Sequence, residues 1–147
     1  MNEDVFDNLI NAVHDFERNH DLIILEVVKE FEFEVISMNL DDQLYKGIDS
    51  SGQVIAPEYA ESTKRRKERI GQPTDRVTLL DKGDFWDSFE IDYRDGEFVI
   101  GASDVQARYL PSKYGEFIFG LTPENIDRLS TLIKDRLTEV VKQKFTS

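Results

Sequence analysis

The chain of 147 residues contains no cysteine, four prolines, two histidines, two methionines and one tryptophan. Without cysteine there is no disulfide, no thiolate nucleophile and no sulfur-ligated zinc site, and nothing points to an oxidising compartment. No apolar run approaches the length needed to span a bilayer. The opening Met1-Asn2-Glu3-Asp4 is acidic where a secretory leader is basic. These features lead us to expect a soluble protein made in a cytoplasm, with no membrane contact. Basic residues are the scarce charge: 18 Lys and Arg stand against 30 Asp and Glu, a formal net charge of -12. Phosphate repels a chain of that sign as a whole, which argues against non-specific wrapping of DNA.

What is present suffices for a core. Hydrophobic residues make up 39% of the chain and include ten Phe and five Tyr. A compact chain of this length buries roughly 68–70% of its unfolded surface and needs no covalent staple. We expect one domain over residues 1–147, with an N-terminal helical part (1–40) and a core (41–147).

Phe6, Leu9, Ile10, Val13 and Phe16 fall at helical spacing and predict an amphipathic helix near the N-terminus. Asn19-His20-Asp21 is expected to break or kink it, with Asp21 capping a second helix. That helix carries Leu22, Leu25, Val28, Phe31, Val35 and Ile36; the alternation from Phe31 to Val35 also fits a strand, but the length of the stripe favours a helix. Asn39 is expected as a break, followed by a helical turn over 41–45 ending at Gly47 and a tight turn over 48–55. Pro57 is expected to open a helix running from about Glu58 to Ile70, stopped by Gly71 and Pro73.

The segment Leu79-Leu80-Asp81-Lys82-Gly83-Asp84-Phe85-Trp86-Asp87-Ser88-Phe89 predicts a glycine turn and one short helical turn ending in Ser88. A hairpin follows, Glu90 to Tyr93 and Glu97 to Gly101, with Asp95-Gly96 at its tip. Ala102 to Tyr109 is expected to be irregular, and Pro111 to Phe117 one short helix ending near Gly115 or Gly120. Thr122 then caps a final helix with Pro123 at its first position and a stripe of Ile126, Leu129, Leu132, Ile133, Leu137, Val140 and Val141. The fold class is α+β: N-terminal helices, a central β-hairpin or small antiparallel sheet, and a C-terminal amphipathic helix.

Residue chemistry offers little for catalysis. Asp49-Ser50-Ser51-Gly52 lacks the spaced ligand set of a calcium loop and is read as a turn. Asp81, Asp84 and Asp87 recur every third residue, as a metal-dependent nuclease would use them, but a chain with 30 acidic residues produces such coincidences. His14 and His20 have no partner at ligand-like spacing, no serine sits in a nucleophile elbow, and the glycines are isolated. Phe85, Trp86 and Phe89 are read as core; Tyr109, Tyr114, Phe117 and Phe119 are read as either core or docking surface. No catalytic residue, metal or cofactor is expected. The basic run Lys64, Arg65, Arg66, Lys67 with Arg69 stands out against the acidic background as a candidate contact surface for an acidic neighbouring subunit or for DNA phosphates. A basic helix on an acidic molecule also suits head-to-tail pairing of identical copies, as ring interfaces require.

The block from Leu79 to Ser88, followed by its hairpin, resembles the phage virion-morphogenesis and minor-tail families (tail completion, head–tail joining). Their members carry leucine, acidic, x, glycine, x, aromatic or leucine, x, x, serine before a β-hairpin. Gln43 to Gly52 leading into Pro57-Glu58-Tyr59 and Thr63 is similar to the start of that core, and Lys64 to Arg69 stands where its lysine-rich helix lies. Tyr109, Tyr114-Gly115 and Phe119-Gly120 resemble its aromatic residues near glycine, so the likeness extends from Gln43 to the C-terminus. The resemblance implies a non-enzymatic structural protein of the virion neck or tail, present in the host cytoplasm during assembly. It implies a homo-oligomeric ring that meets portal and tail proteins and lets DNA pass without specific binding. Two other classes fit the composition: a small acidic inhibitor or regulator of a basic partner, and a nuclease using Asp81, Asp84 or Asp87.

Overall fold

A computed structural model gives the fold and describes residues 2–146; near the two ends the side chains of residues 2–4, 6, 9, 12, 16, 145 and 146 are left out of account. Phe6, Leu9 and Phe16 of the first predicted stripe therefore lie outside the described side chains. The chain opens with one helix of 29 residues, α1 (Asn2–Glu30), and the break expected at Asn19-His20-Asp21 does not occur. Asn19 Nδ2 donates to the Asp15 carbonyl at 3.0 Å, and a His20 ring nitrogen lies 2.9 Å from the Glu17 carbonyl. Both side chains thus bond the preceding turn instead of starting a new one, which leaves Asp21 in mid-helix. The interruption falls at Phe31, and α2 (Glu32–Leu40) resumes at once, so the 31–35 alternation is helical. The break expected at Asn39 falls one residue later, after Leu40, and Asn39 itself is fully buried in the last turn of α2.

Leu44–Lys46 form one 3-10 turn that ends at Gly47, as expected. The Asp49 Oδ1 then accepts from Ser51 N, Ser51 Oγ and Gln53 N at 2.9, 2.6 and 3.1 Å, and a β-bridge between Ile48 and Val54 closes the turn. Pro57 does not open the next helix. It follows Ala56 through a cis peptide bond, and α3 (Glu61–Arg69) starts from the extended residue Ala60 and ends before Gly71.

Gly83 has φ +96°, a conformation that costs any residue with a Cβ, and from it springs the short α4 (Asp84–Asp87). Ser88 closes that turn and leads into β1 (Phe89–Arg94), which pairs antiparallel with β2 (Glu97–Ala102). Asp95 and Gly96, at φ +51° and +77°, make the two-residue turn between them. A 3-10 turn over Val105–Arg108 replaces part of the expected irregular stretch. The predicted helix from Pro111 to Phe117 is split at Gly115 into α5 (Leu110–Tyr114) and a 3-10 turn, Glu116–Ile118. Thr122 Oγ1 then accepts from Asn125 N at 3.3 Å and opens α6 (Pro123–Thr146).

The core lies between the inner face of the hairpin (Phe89, Ile91, Ile100) and Val35, Met38, Leu44, Val77, Phe85, Ile118 and Leu129. Phe85 meets Phe89 edge-on at 5.2 Å, and Phe119 completes the ring cluster at 6.0 and 5.3 Å. α6 runs antiparallel to the opening helices: Asn125 bonds Gln43, Arg128 bonds Asp42 and Arg136 bonds Glu30. With equal rise per residue, Thr146 comes level with about residue 20 of α1, so about 27 Å of α1 runs on past the end of α6.

Candidate functional site

The basic helix divides into residues held by the fold and residues left for a partner. Lys67 is only 2% exposed. Its Nζ donates to Gln72 Oε1 at 3.0 Å and to the Leu80 carbonyl, and it lies 4.7 Å from the Tyr59 ring centroid. Gln72 Nε2 in turn donates to the Asp81 carbonyl at 2.7 Å, and the Tyr59 hydroxyl accepts from Thr78 N and Leu79 N. Lys67 is therefore a clamp on the segment that leads into Gly83, and the contact surface expected of it is not available. Arg66 pairs with Asp81 at 2.6 Å, and Lys64 lies 3.7 Å from both Glu58 and Glu61. Arg65 and Arg69, four residues apart on the outward face, have no ion-pair partner among the described residues. They border a shallow groove with Ser62 and Glu68. Of the five basic candidates, these two offer charge to another molecule.

The part of α1 that overhangs α6 has the opposite sign. Residues 2–20 contain five acidic residues against Arg18, and Asp15 pairs with that arginine. Val5, Ile10 and Val13 are exposed on it, so among the described residues the helix presents apolar as well as acidic positions. Its root is fixed by Arg136, which bonds Glu30 at 2.7 and 3.3 Å and Glu139 at 3.1 Å. The Arg136 hydrogen bond holds the Glu30 carboxyl below the usual glutamate value, and Glu30 raises Arg136 in return. Burial raises the Tyr93 phenol, with Glu32 and Glu26 adding to the effect.

The nuclease triplet is not assembled. Asp81 is engaged by Arg66, Asp84 is exposed at the start of α4, and Asp87 sits at its end. Among the described residues no three His, Asp or Glu side chains converge as metal ligands. The aromatic residues sort in two ways: Tyr114 and Phe119 pack on the core, while Tyr109 and Phe117 are exposed. Trp86 is half-buried, its Nε1 donating to the Thr78 carbonyl at 3.1 Å and its ring meeting Tyr45 edge-on at 6.4 Å.

The polar residues that organise this arrangement were missed in the sequence. Asn39 Nδ2 donates to the Ile118 carbonyl and its Oδ1 accepts from Gly120 N, at 2.9 and 2.8 Å. Gln43 Nε2 donates to the Gly120 carbonyl, and its Oε1 accepts from Thr122 N and Asn125 Nδ2. The available signal was that Asn39 lies four residues after Val35, on the apolar row of its helix, where a buried amide demands partners.

No family model, curated protein or solved structure matches the chain. Among the described residues no helix is long and apolar enough to cross a membrane.

Proposed function

We propose that the chain is a non-enzymatic structural protein of a tailed-phage virion, forming a homo-oligomeric ring in the neck between portal and tail, in a tail-completion or minor-tail role. The observation that carries this reading is the separation of charge on one subunit. Arg65 and Arg69 stand exposed on α3, while the overhanging part of α1 is acidic and partly apolar. Two different, complementary patches are what a closing head-to-tail interface needs. The Gly83 turn, the helical turn closed by Ser88 and the hairpin occur in the order of the families that the sequence resembles. A net charge of -12 disfavours non-specific association and leaves the contact between the two matched patches as the one that assembles. The same sign would let DNA slide through the lumen without sticking, and an assembled ring with a strongly basic bore would refute that part.

Light scattering on the purified chain tests the reading. The wild type is expected to form one closed oligomer that loosens as salt screens the contact. Reversing both arginines, Arg65→Glu with Arg69→Glu, is expected to give monomers with an unchanged circular dichroism spectrum. A wild-type chain that stays monomeric up to its solubility limit contradicts the ring.

A further inference from the structure

We infer that the free edge of β2 is a strand-docking groove for an extended, apolar segment of a different polypeptide flanked by basic residues. The hairpin turn fixes which backbone groups are used. Arg94 and Glu97 flank a two-residue turn and form a hydrogen-bonded pair, so by alternation Asp92 with Val99 and Glu90 with Gly101 do likewise. The bond from Ser103 N to the Ser88 carbonyl at 3.2 Å continues the same series. Phe98 and Ile100 therefore point their N–H and C=O groups away from β1. Among the described residues those groups have no backbone or side-chain partner.

They open into a groove of about 570 Å³ along that edge, whose walls include Phe98, Ile100, Pro111, Phe119, Leu121 and Ile126. A row of unpaired backbone donors and acceptors beside an apolar trough is the geometry of strand addition, where main-chain bonds supply affinity and alternate side chains fill the walls. Val99 and Ile126, 58% and 50% exposed, are the lips that such a segment would cover.

Charge decides between a second copy and another protein. The outer face of the hairpin carries Glu90, Asp92 and Glu97, and Glu116 lines the groove, against Arg94, which Asp92 already pairs. A strand of this same hairpin would bring a second acidic row against the first, whereas lysine or arginine at the ends of the incoming segment would meet opposite charge. The inference holds whether or not the subunit closes into a ring, because it uses neither α1 nor α3.

The probe is the blocked peptide Lys-Val-Thr-Val-Thr-Val-Lys, titrated into the full chain and followed by amide NMR and hydrogen exchange. Binding is expected to slow exchange of the Phe98 and Ile100 amides by roughly tenfold or more. The same peptide N-methylated at its valines is expected to leave them unchanged. No protection up to the solubility limit, equal effects of the two peptides, or shifts confined to other elements would each overturn the inference. Protection of the same amides that grows with protein concentration in the absence of peptide would assign the edge to a second copy and overturn it too.

Discussion

Gln43 and Thr122, 79 positions apart in the chain, are joined at 2.9 Å by the N–H that opens the last helix donating to the Gln43 side-chain carbonyl. The same amide holds the Gly120 carbonyl and Asn125 Nδ2, so one buried side chain fixes where α6 leaves the core. Gln43→Ala strands three buried polar partners, and we expect a loss of about 3 kcal/mol in urea unfolding. A loss below about 1 kcal/mol would mean that water replaces the amide at little cost.

Lys67 and its neighbours on α3 should separate cleanly by mutation. Lys67→Met removes the hydrogen bonds to Gln72 and Leu80 and is expected to cost about 2 kcal/mol. Arg65→Ala and Arg69→Ala touch exposed side chains and should change stability by less than about 0.5 kcal/mol. Thermal unfolding of the three variants side by side makes the comparison.

Ser88 ties the two ends of the hairpin together. Its Oγ donates to the Phe85 carbonyl at 2.8 Å and accepts from Asp104 N at 3.1 Å. Ser88→Ala is expected to cost about 1 kcal/mol and to speed exchange of the Asp104 amide more than that of the hairpin strands.

The Glu30–Arg136 pair gives a pH dependence of defined sign. Arg136 holds the folded-state Glu30 below its ordinary value of 4.5. The stability it contributes is therefore present above that value and is lost as pH falls through the lower folded-state value. Thermal midpoints of wild type and Glu30→Gln, followed from about pH 6 to about pH 3, should converge on acidification. A gap that widens toward acid would give the pair the wrong sign.

Local signals explain what could be foreseen. Gly83, the Asp95-Gly96 turn and Thr122-Pro123 each specify their backbone within a few residues, and all three stand where the sequence places them. Asn19 and Asp21 favour caps, yet Asn19 and His20 also bond the preceding helical turn, and local chemistry does not choose between the two. The burial of Lys67 depends on acceptors 5 and 13 positions on, which helical spacing does not single out, and that of Gln43 on residues about 80 positions away, which no local window contains. Lys67 did leave one trace: it lies four residues after Thr63, itself half-buried on the same row of α3. Sorting the five basic residues into clamp, internal pairs and free charge required the fold.

The most direct test is the mass of the purified chain's assembly by native mass spectrometry, for the wild type and for the double reversal Arg65→Glu with Arg69→Glu. The account predicts one closed oligomer of fixed copy number for the wild type and a monomer for the variant. A wild type that remains monomeric, or a variant that assembles just as well, would contradict it.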